Sequence, residues 1–195
     1  PAINQILSSC GQAPVTTLDQ TNPDVAIAYD TLLQVSREVQ AEGWTFNKEY
    51  HYEMTPDTDD EIPIANNILQ IKLSENSNNV EYSGIRRNGK LYDRQHHTYK
   101  WKDFSPVKCD IVWEFDWIDL PQPVQDYITS RSSALVSQRI IGDTNQYQML
   151  QQQEVLARAM ALEYDTQQGQ YTFFGHPQGE QNYYQSYEPY HALRR

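Results

Sequence analysis

The sequence lacks the features that mark membrane proteins and the common classes of enzyme. No run of about 18 apolar residues occurs, so no segment is predicted to cross a membrane. Cys10 and Cys109 are the only cysteines, far apart in a chain of 195 residues, and we expect reduced, buried or free thiols. The eight glycines form no GxGxxG or Walker pattern, and HExxH, CxxC and GxSxG are missing. The search for motifs therefore identifies no catalytic residue, cofactor or metal ligand.

Positive charge and apolar residues are also scarce. Fifteen Lys and Arg residues stand against 26 Asp and Glu residues, which gives a formal charge of −11, and hydrophobic residues make up 38% of the chain. This net negative charge argues against binding to the nucleic acid backbone, because neutralising phosphates requires clustered cations. The apolar content is below the ~45–50% of an ordinary globular domain. We therefore expect partner molecules to supply part of the stability.

Helical spacing of apolar residues predicts two helices at the start of the chain. Ile3, Ile6 and Leu7 show the spacing of the first, and Gly11 lies in the position that follows its end. Asn22 is the predicted N-cap of the second, followed by Pro23 at N1 and Asp24 at N2. Gly43 ends this helix.

The helical period returns after Pro123 and predicts two further helices. The first of them ends at Gly142, and the second runs to Gly169. Asp143 or Thr144 can supply the N-cap of the last helix.

The stretch from Trp44 to about Ile118 is predicted to be rich in β-strands. A second strand lies within 62–73, and Asn88-Gly89 predicts a hairpin turn between 80–87 and 90–93. The first and last strands show the alternation of a half-buried strand. Their inward residues are predicted to be Trp44, Phe46, Tyr50, Tyr52 and Met54 in the first, and Ile111, Trp113, Phe115 and Trp117 in the last.

The predicted fold class is therefore α+β. Residues 1–43 and 119–169 are the two halves of a predicted four-helix bundle. An antiparallel β-rich domain, residues 44–118, is inserted between them, and residues 170–195 form an extended C-terminal arm.

The acidic residues allow two interpretations. Asp110, Glu114 and Asp116 share one face of a predicted strand, so a glycosidase-like acid pair is conceivable; we favour the solvent face of an amphipathic strand. The run 57–61 is interpreted as a solvated turn, with a cation site as the alternative. The neighbours His96-His97 are expected to be a surface pair, because adjacent strand residues point to opposite faces.

The segment 80–108 is locally basic, with seven cations against three carboxylates. A solvated face is one interpretation and a docking surface for an acidic protein is another; DNA contact ranks third. Its cations are Arg86, Arg87, Lys90, Arg94, Lys100, Lys102 and Lys108.

The last part of the chain is aromatic and shows neither a helical nor a strand period. Such segments are typical of extended arms that become ordered on a partner, and disorder without a partner is the alternative. Its aromatic residues are Tyr171, Phe173, Phe174, Tyr183, Tyr184, Tyr187 and Tyr190.

Two stretches resemble the tail tubular protein A family, the head–tail adaptors (gatekeepers) of short-tailed podovirus phages. The resemblance covers about half of the chain. The first stretch contains Ala2-Ile3-Asn4-Gln5-Ile6-Leu7, Asn22-Pro23-Asp24-Val25-Ala26 and Glu42-Gly43-Trp44-Thr45-Phe46-Asn47; the second contains Asp119-Leu120-Pro121, Tyr127-Ile128, Arg131, Gln138-Arg139 and Gly142-Asp143.

This resemblance implies a structural virion protein with no enzymatic activity and no cofactor. It implies a homo-oligomeric ring of twelve copies between the portal protein and the tail nozzle, through which DNA passes without specific binding. The ring would help to attach tail fibres, and the protein would reside in the virion tail, in the host cytoplasm during assembly, and not in a membrane. The implied portal contact is the aromatic arm. The implied nozzle and fibre surface is the hairpin with Arg86, Arg87, Lys90 and Arg94, while Arg131 and Arg139 belong to the bundle.

Two other functions remain open at this point. One is a polysaccharide-cleaving tail protein that uses Glu114 with Asp116 or Asp110. The other is a small DNA-packaging accessory, against which the net charge argues.

Overall fold

A computed structural model describes residues 1–18, 21–74, 82–102 and 106–169, and they form a mixed α+β protein with helices at both ends and strands between. The α+β prediction is thus confirmed, and each predicted helix is present. The helices are α1 (Ala2–Ser9), α2 (Pro23–Gln40), α3 (Gln122–Ile140) and α4 (Thr144–Gly169). The strands are β1 (Lys48–Met54), β2 (Ile68–Leu73), β3 (Gly84–Arg87), β4 (Lys90–Asp93) and β5 (Val107–Trp113), and a 3₁₀ turn spans Trp117–Asp119.

The local signals at the helix ends work as predicted. Asn22 Oδ1 accepts the N–H of Asp24 at 3.0 Å, which caps α2. Gly11 and Gly142 follow α1 and α3 with φ of +72°, a conformation that glycine adopts without a Cβ clash. Asp143 is the residue that caps α4, since its Oδ1 accepts the N–H of the residue two positions on at 2.9 Å.

Helix α3 packs against all three other helices, and α1 also packs against α2. Together with Trp44 and Leu120 they enclose one hydrophobic cluster. Its most deeply buried members include Ile6, Leu7, Val25, Val35, Tyr127 and Ile128.

The strands form a three-stranded antiparallel sheet in the order β1-β5-β2 and a β3-β4 hairpin. They enclose a second hydrophobic cluster around Ile62, Ile68, Leu91, Trp101 and Ile111. The Asn88-Gly89 turn is confirmed: both residues have positive φ, +51° and +71°, as a two-residue hairpin requires. Residues 80 and 81 of the predicted strand lie outside the described residues.

The last strand ends earlier than predicted, so the prediction was wrong for its final residues. Strand β5 stops at Trp113, and Phe115 and Trp117 pack against the helical cluster instead. Because β5 is the central strand, residues from Cys109 to Val112 are all buried, so simple alternation does not describe it.

The prediction for the first strand was also wrong in part. Residues 44–47 precede β1, and Tyr50 and Tyr52 are 49% and 42% exposed. β1 is an edge strand of the sheet and contains a β-bulge, with one extra residue opposite β5 between Glu49 and Tyr52, so that Tyr50 and Tyr52 lie on opposite faces. Within it His51 has a φ of +56° and donates its N–H to the Asp110 carboxylate at 3.2 Å. An extra residue reverses the facing of those after it.

Two buried amides join the helical and strand parts. Gln40 donates to the Phe115 carbonyl at 3.1 Å and accepts the Phe115 N–H at 2.8 Å. Asn47 donates to the carbonyls of Gln40 and Trp113 at 2.8 and 2.9 Å and accepts the Trp44 N–H at 2.8 Å. The point where the chain leaves the helices is therefore bonded to the point where it returns.

This junction predicts a large difference between two glutamines of α2. Gln40→Leu leaves two partly buried backbone groups of Phe115 unpaired and should lower the free energy of unfolding by about 2–4 kcal/mol. Gln34→Leu removes only an exposed bond to Glu38 and should change it by less than about 0.5 kcal/mol. Urea denaturation measures both; equal effects would contradict the role of the junction.

Candidate interaction surfaces

An apolar groove lies between α1 and α2. It has a volume of about 470 Å³, and Leu18 and Leu33 in its wall are 59% and 51% exposed. Hydrophobic side chains held open to water in this way are typical of a binding surface. The main apolar wall residues are Ala2, Ile3, Val15, Leu18, Tyr29, Leu32, Leu33 and Trp117.

Helix α4 leaves apolar side chains exposed on two flanks. Ala161 is buried in the helical cluster. At about 100° per residue, the exposed side chains fall roughly 100–140° to either side of it. One flank carries Met149, Leu156 and Met160, and the other carries Val155 and Leu162; they are 45–66% exposed.

The four hairpin cations do not point in one direction. Arg86 lies on the same face as buried Leu91 and donates to the Ile68 carbonyl at 2.8 Å. Arg87 lies over the ring of Tyr92, 4.9 Å from its centroid. Lys90 pairs with Glu61, and Arg94 donates to Ser83 Oγ at 2.7 Å. Arg87 and Arg94 are thus the two exposed members whose bonds stay within the hairpin region.

The acidic turn at 57–61 packs beside these cations and balances part of their charge. Besides the Lys90–Glu61 pair, Lys100 donates to the Asp59 carbonyl. The N–H of Glu61, above all, lowers the pKa of Asp57, with further contributions from Asp59 N–H, Lys90 and Lys100. The local positive charge seen in the sequence is therefore smaller at the surface.

The carboxylates proposed as an acid pair have separate partners. Contrary to the prediction of a solvent face, Asp110 is only 5% exposed; it accepts Ser74 Oγ–H and lies 3.6 Å from Lys72 Nζ. Glu114 lies beyond β5 and pairs with Arg37 at 3.7 Å. Asp116 is exposed. Glu114 and Asp116 follow the end of β5, so the strand does not align them with Asp110.

Arg131 and Arg139 both tie α3 to α2. Arg131 donates to Glu38 at 3.2 Å and to the Tyr127 hydroxyl at 3.2 Å. Arg139 donates to Thr31 Oγ1 at 2.9 Å. From one face of α3, the two arginines therefore hold α3 against α2.

Both cysteines are buried and free, as expected. Burial, and secondarily the charge of Asp110, raises the pKa of Cys109 to about 12. Within the described ranges no helix is long and apolar enough to cross a membrane, and no group of three or more His, Cys, Asp or Glu residues is placed to hold a metal ion. The predicted portal-binding aromatics from Tyr171 to Tyr190 lie outside those ranges.

A family model for tail tubular proteins matches residues 1–171. The chain belongs to the tail tubular protein family. It is 28% identical to tail tubular protein A of Klebsiella phage KP34 over 161 residues, which cover 83% of each chain. As a tail tubular protein it is a structural component of a phage tail and is located in the virion tail.

The exposed flanks of α4 are the surface of this tail tubular protein that sequence reasoning missed. The pattern contained a signal: apolar residues at 155, 156, 160 and 162 occupy more of the helix circumference than one buried stripe requires. Periodicity alone does not tell which of those residues face the neighbouring helix.

His96 and His97 lie in a turn after β4 and are exposed, which confirms the expected surface pair. The ring of His96 bonds to the buried carboxylate of Asp93. Burial alone raises the pKa of Asp93, but the N–H groups of Ser83 and Gln95 and the His96 ring together outweigh it. The pKa of Asp93 therefore lies below its usual range.

This lowered pKa predicts an acid-sensitive hairpin in the tail tubular protein. Asp93 contributes stability above the unfolded-chain pKa of about 3.9, and the contribution is lost as the pH falls through the lower folded pKa. Asp93→Asn should lower stability at pH 7 and reduce the decline in stability below about pH 4. Urea midpoints across this pH range test it, with Asp126→Asn on α3 as a control of equal charge change. Identical pH profiles for Asp93→Asn and the wild type would contradict it.

Proposed function

We propose that this protein is the head–tail adaptor of a short-tailed phage. Copies form a closed ring of twelve between the portal and the tail nozzle, and DNA passes through the ring. The four helices act as a bundle at the portal side, together with the C-terminal arm. The strand-rich part faces the nozzle and the attachment zone of the fibres.

The exposed flanks of α4 carry the proposal. A closed ring needs head-to-tail contacts, in which one side of each subunit meets a different side of the next. Met149, Leu156 and Met160 offer one apolar side, and Val155 and Leu162 offer another on the same helix. A ring subunit contacts one neighbour on each of two sides, and a member of a tail structural family with two apolar sides meets this requirement.

The charge balance supports the passage of DNA. At −11 the subunit repels phosphate, so a channel wall made of such subunits does not retain the genome. The described cations mostly have carboxylate or carbonyl partners: Arg37, Arg131 and Arg158 each pair with a glutamate. This leaves little concentrated positive charge for DNA.

The β3–β4 hairpin is the proposed contact with the nozzle and the fibres. Arg87 and Arg94 are exposed at its surface, and among the described residues their contacts are with Tyr92 and Ser83, within the hairpin region. Arg86 and Lys90 tie the hairpin to the rest of the protein, through Ile68 and Glu61. The first two are therefore the cations available to an acidic partner.

The ring contact predicts assembly defects from single changes on either flank of α4. Leu156→Glu and Leu162→Glu each place a charge in an apolar contact and should weaken ring formation on purified portal rings by about tenfold or more. Both residues are exposed, so the free energy of unfolding should change by less than about 0.5 kcal/mol. Sedimentation and negative-stain electron microscopy measure assembly.

Gln152→Glu is the matched control, because it adds the same charge to α4 between the two flanks and should assemble normally. Wild-type assembly by both leucine variants would refute the assigned ring contact.

The hairpin contact predicts a different defect. Arg87→Glu combined with Arg94→Glu should reduce attachment of nozzle or fibres and leave portal binding unchanged, since complementary charge is lost at one surface only. Lys48→Glu with Lys108→Glu makes the same charge change on the three-stranded sheet and serves as the control. Tail assembly at wild-type yield with the arginine pair reversed would exclude this surface.

A further inference from the structure

The apolar groove between α1 and α2 needs an occupant. Leu18 and Leu33 are more than half exposed in its wall, and Trp117 is part of its lining. Exposed carboxylates are close in sequence to two lining residues: Asp30 follows Tyr29 on α2, and Asp116 and Asp119 flank Trp117. The groove therefore fits a segment that combines aromatic or aliphatic side chains with positive charge.

The path of the chain brings a suitable segment near this place. The last turns of α4 meet the start of the strand part, where Asp165 accepts the N–H and hydroxyl of Thr45 at 2.7 Å. Next to Thr45, the ring of Trp44 packs on Tyr127 near the start of α3. At the same end Gln125 donates to the carbonyl of Trp117 at 2.8 Å. The chain thus leaves α4 at the end of the helices where Trp117 lines the groove.

The residues after Gly169 have the chemistry that the groove requires. They include seven aromatic side chains between Tyr171 and Tyr190, and they end in Leu193, Arg194 and Arg195. Twenty-six residues span up to about 85 Å when extended, which is ample to reach along the helices. Uncovered, both the aromatic side chains and the groove would expose apolar surface that favours aggregation.

We propose that the groove is the docking site for the segment 170–195 of the same chain in the free subunit. This proposal rests on the proposed function, in which the same segment binds the portal. In the free subunit, docking in the groove protects the arm. When a portal is present, the portal competes with the groove for the arm. The partner of the groove is thus an aromatic segment with a dibasic end, held within one chain.

Site-specific photo-crosslinking in the full-length protein tests the proposal. Leu33→p-benzoylphenylalanine places the probe in the groove, and Leu18→p-benzoylphenylalanine provides a second position if the first variant does not fold. Tyr50→p-benzoylphenylalanine, at a residue of similar exposure on β1, is the control. Mixing ¹⁵N-labelled and unlabelled protein before illumination separates links within a chain from links between chains.

The expected result is crosslinking of the groove probes to peptides of 170–195, several-fold above the Tyr50 control and within single chains. Crosslinking at the control level, or products that combine labelled and unlabelled chains, would overturn the proposal. Adding portal rings distinguishes docking of the arm in the groove from binding of the arm to the portal. Loss of the links on the portal supports the exchange, whereas links that persist in portal-bound protein show a docked arm and contradict the portal role of the arm.

Discussion

The fold depends on the pair of buried amides at Gln40 and Asn47. A helical layer that is interrupted by about 80 residues of strands and loops can close only if the chain returns to the place it left. Gln40 bonds both backbone groups of Phe115, and Asn47 bridges the end of α2 to the end of β5. With exit and return fixed side by side, α3 can pack against α1, α2 and α4 in one cluster.

Features set by a few consecutive residues could be predicted from the sequence. The cap at Asn22, the positive-φ glycines at 11 and 142, and the turn at Asn88-Gly89 each depend on local geometry. They fix where elements begin and end, so the order of helices and strands follows from them.

Features set by distant contacts could not be predicted in this way. The bulge in β1 brings the N–H of His51 to the carboxylate of Asp110, 59 positions away, and it puts Tyr50 and Tyr52 on opposite faces of an edge strand. The basic hairpin is partly neutralised by Glu61, which precedes its partner Lys90 by 29 positions. Charge counted along the sequence therefore overstates the positive charge of that surface, and alternation misplaces the tyrosines.

The α4 flanks and the groove share one property: among the residues that the structure describes, their apolar side chains are left exposed. The flanks of α4 and the groove beside α2 leave leucine and methionine side chains half exposed, in a chain whose apolar content is already low. Such a subunit gains stability when neighbours or its own arm cover these surfaces. This agrees with a protein that works as one member of an assembly in the phage tail.

The most direct test is an electron-microscopic reconstruction of the wild-type protein bound to its portal ring. We predict a closed ring in which the Met149–Met160 flank of one α4 faces the Val155–Leu162 flank of the next subunit, and the β3–β4 hairpins point away from the portal. A protein that stays monomeric with the portal, or a ring whose neighbours meet without α4, would contradict the account.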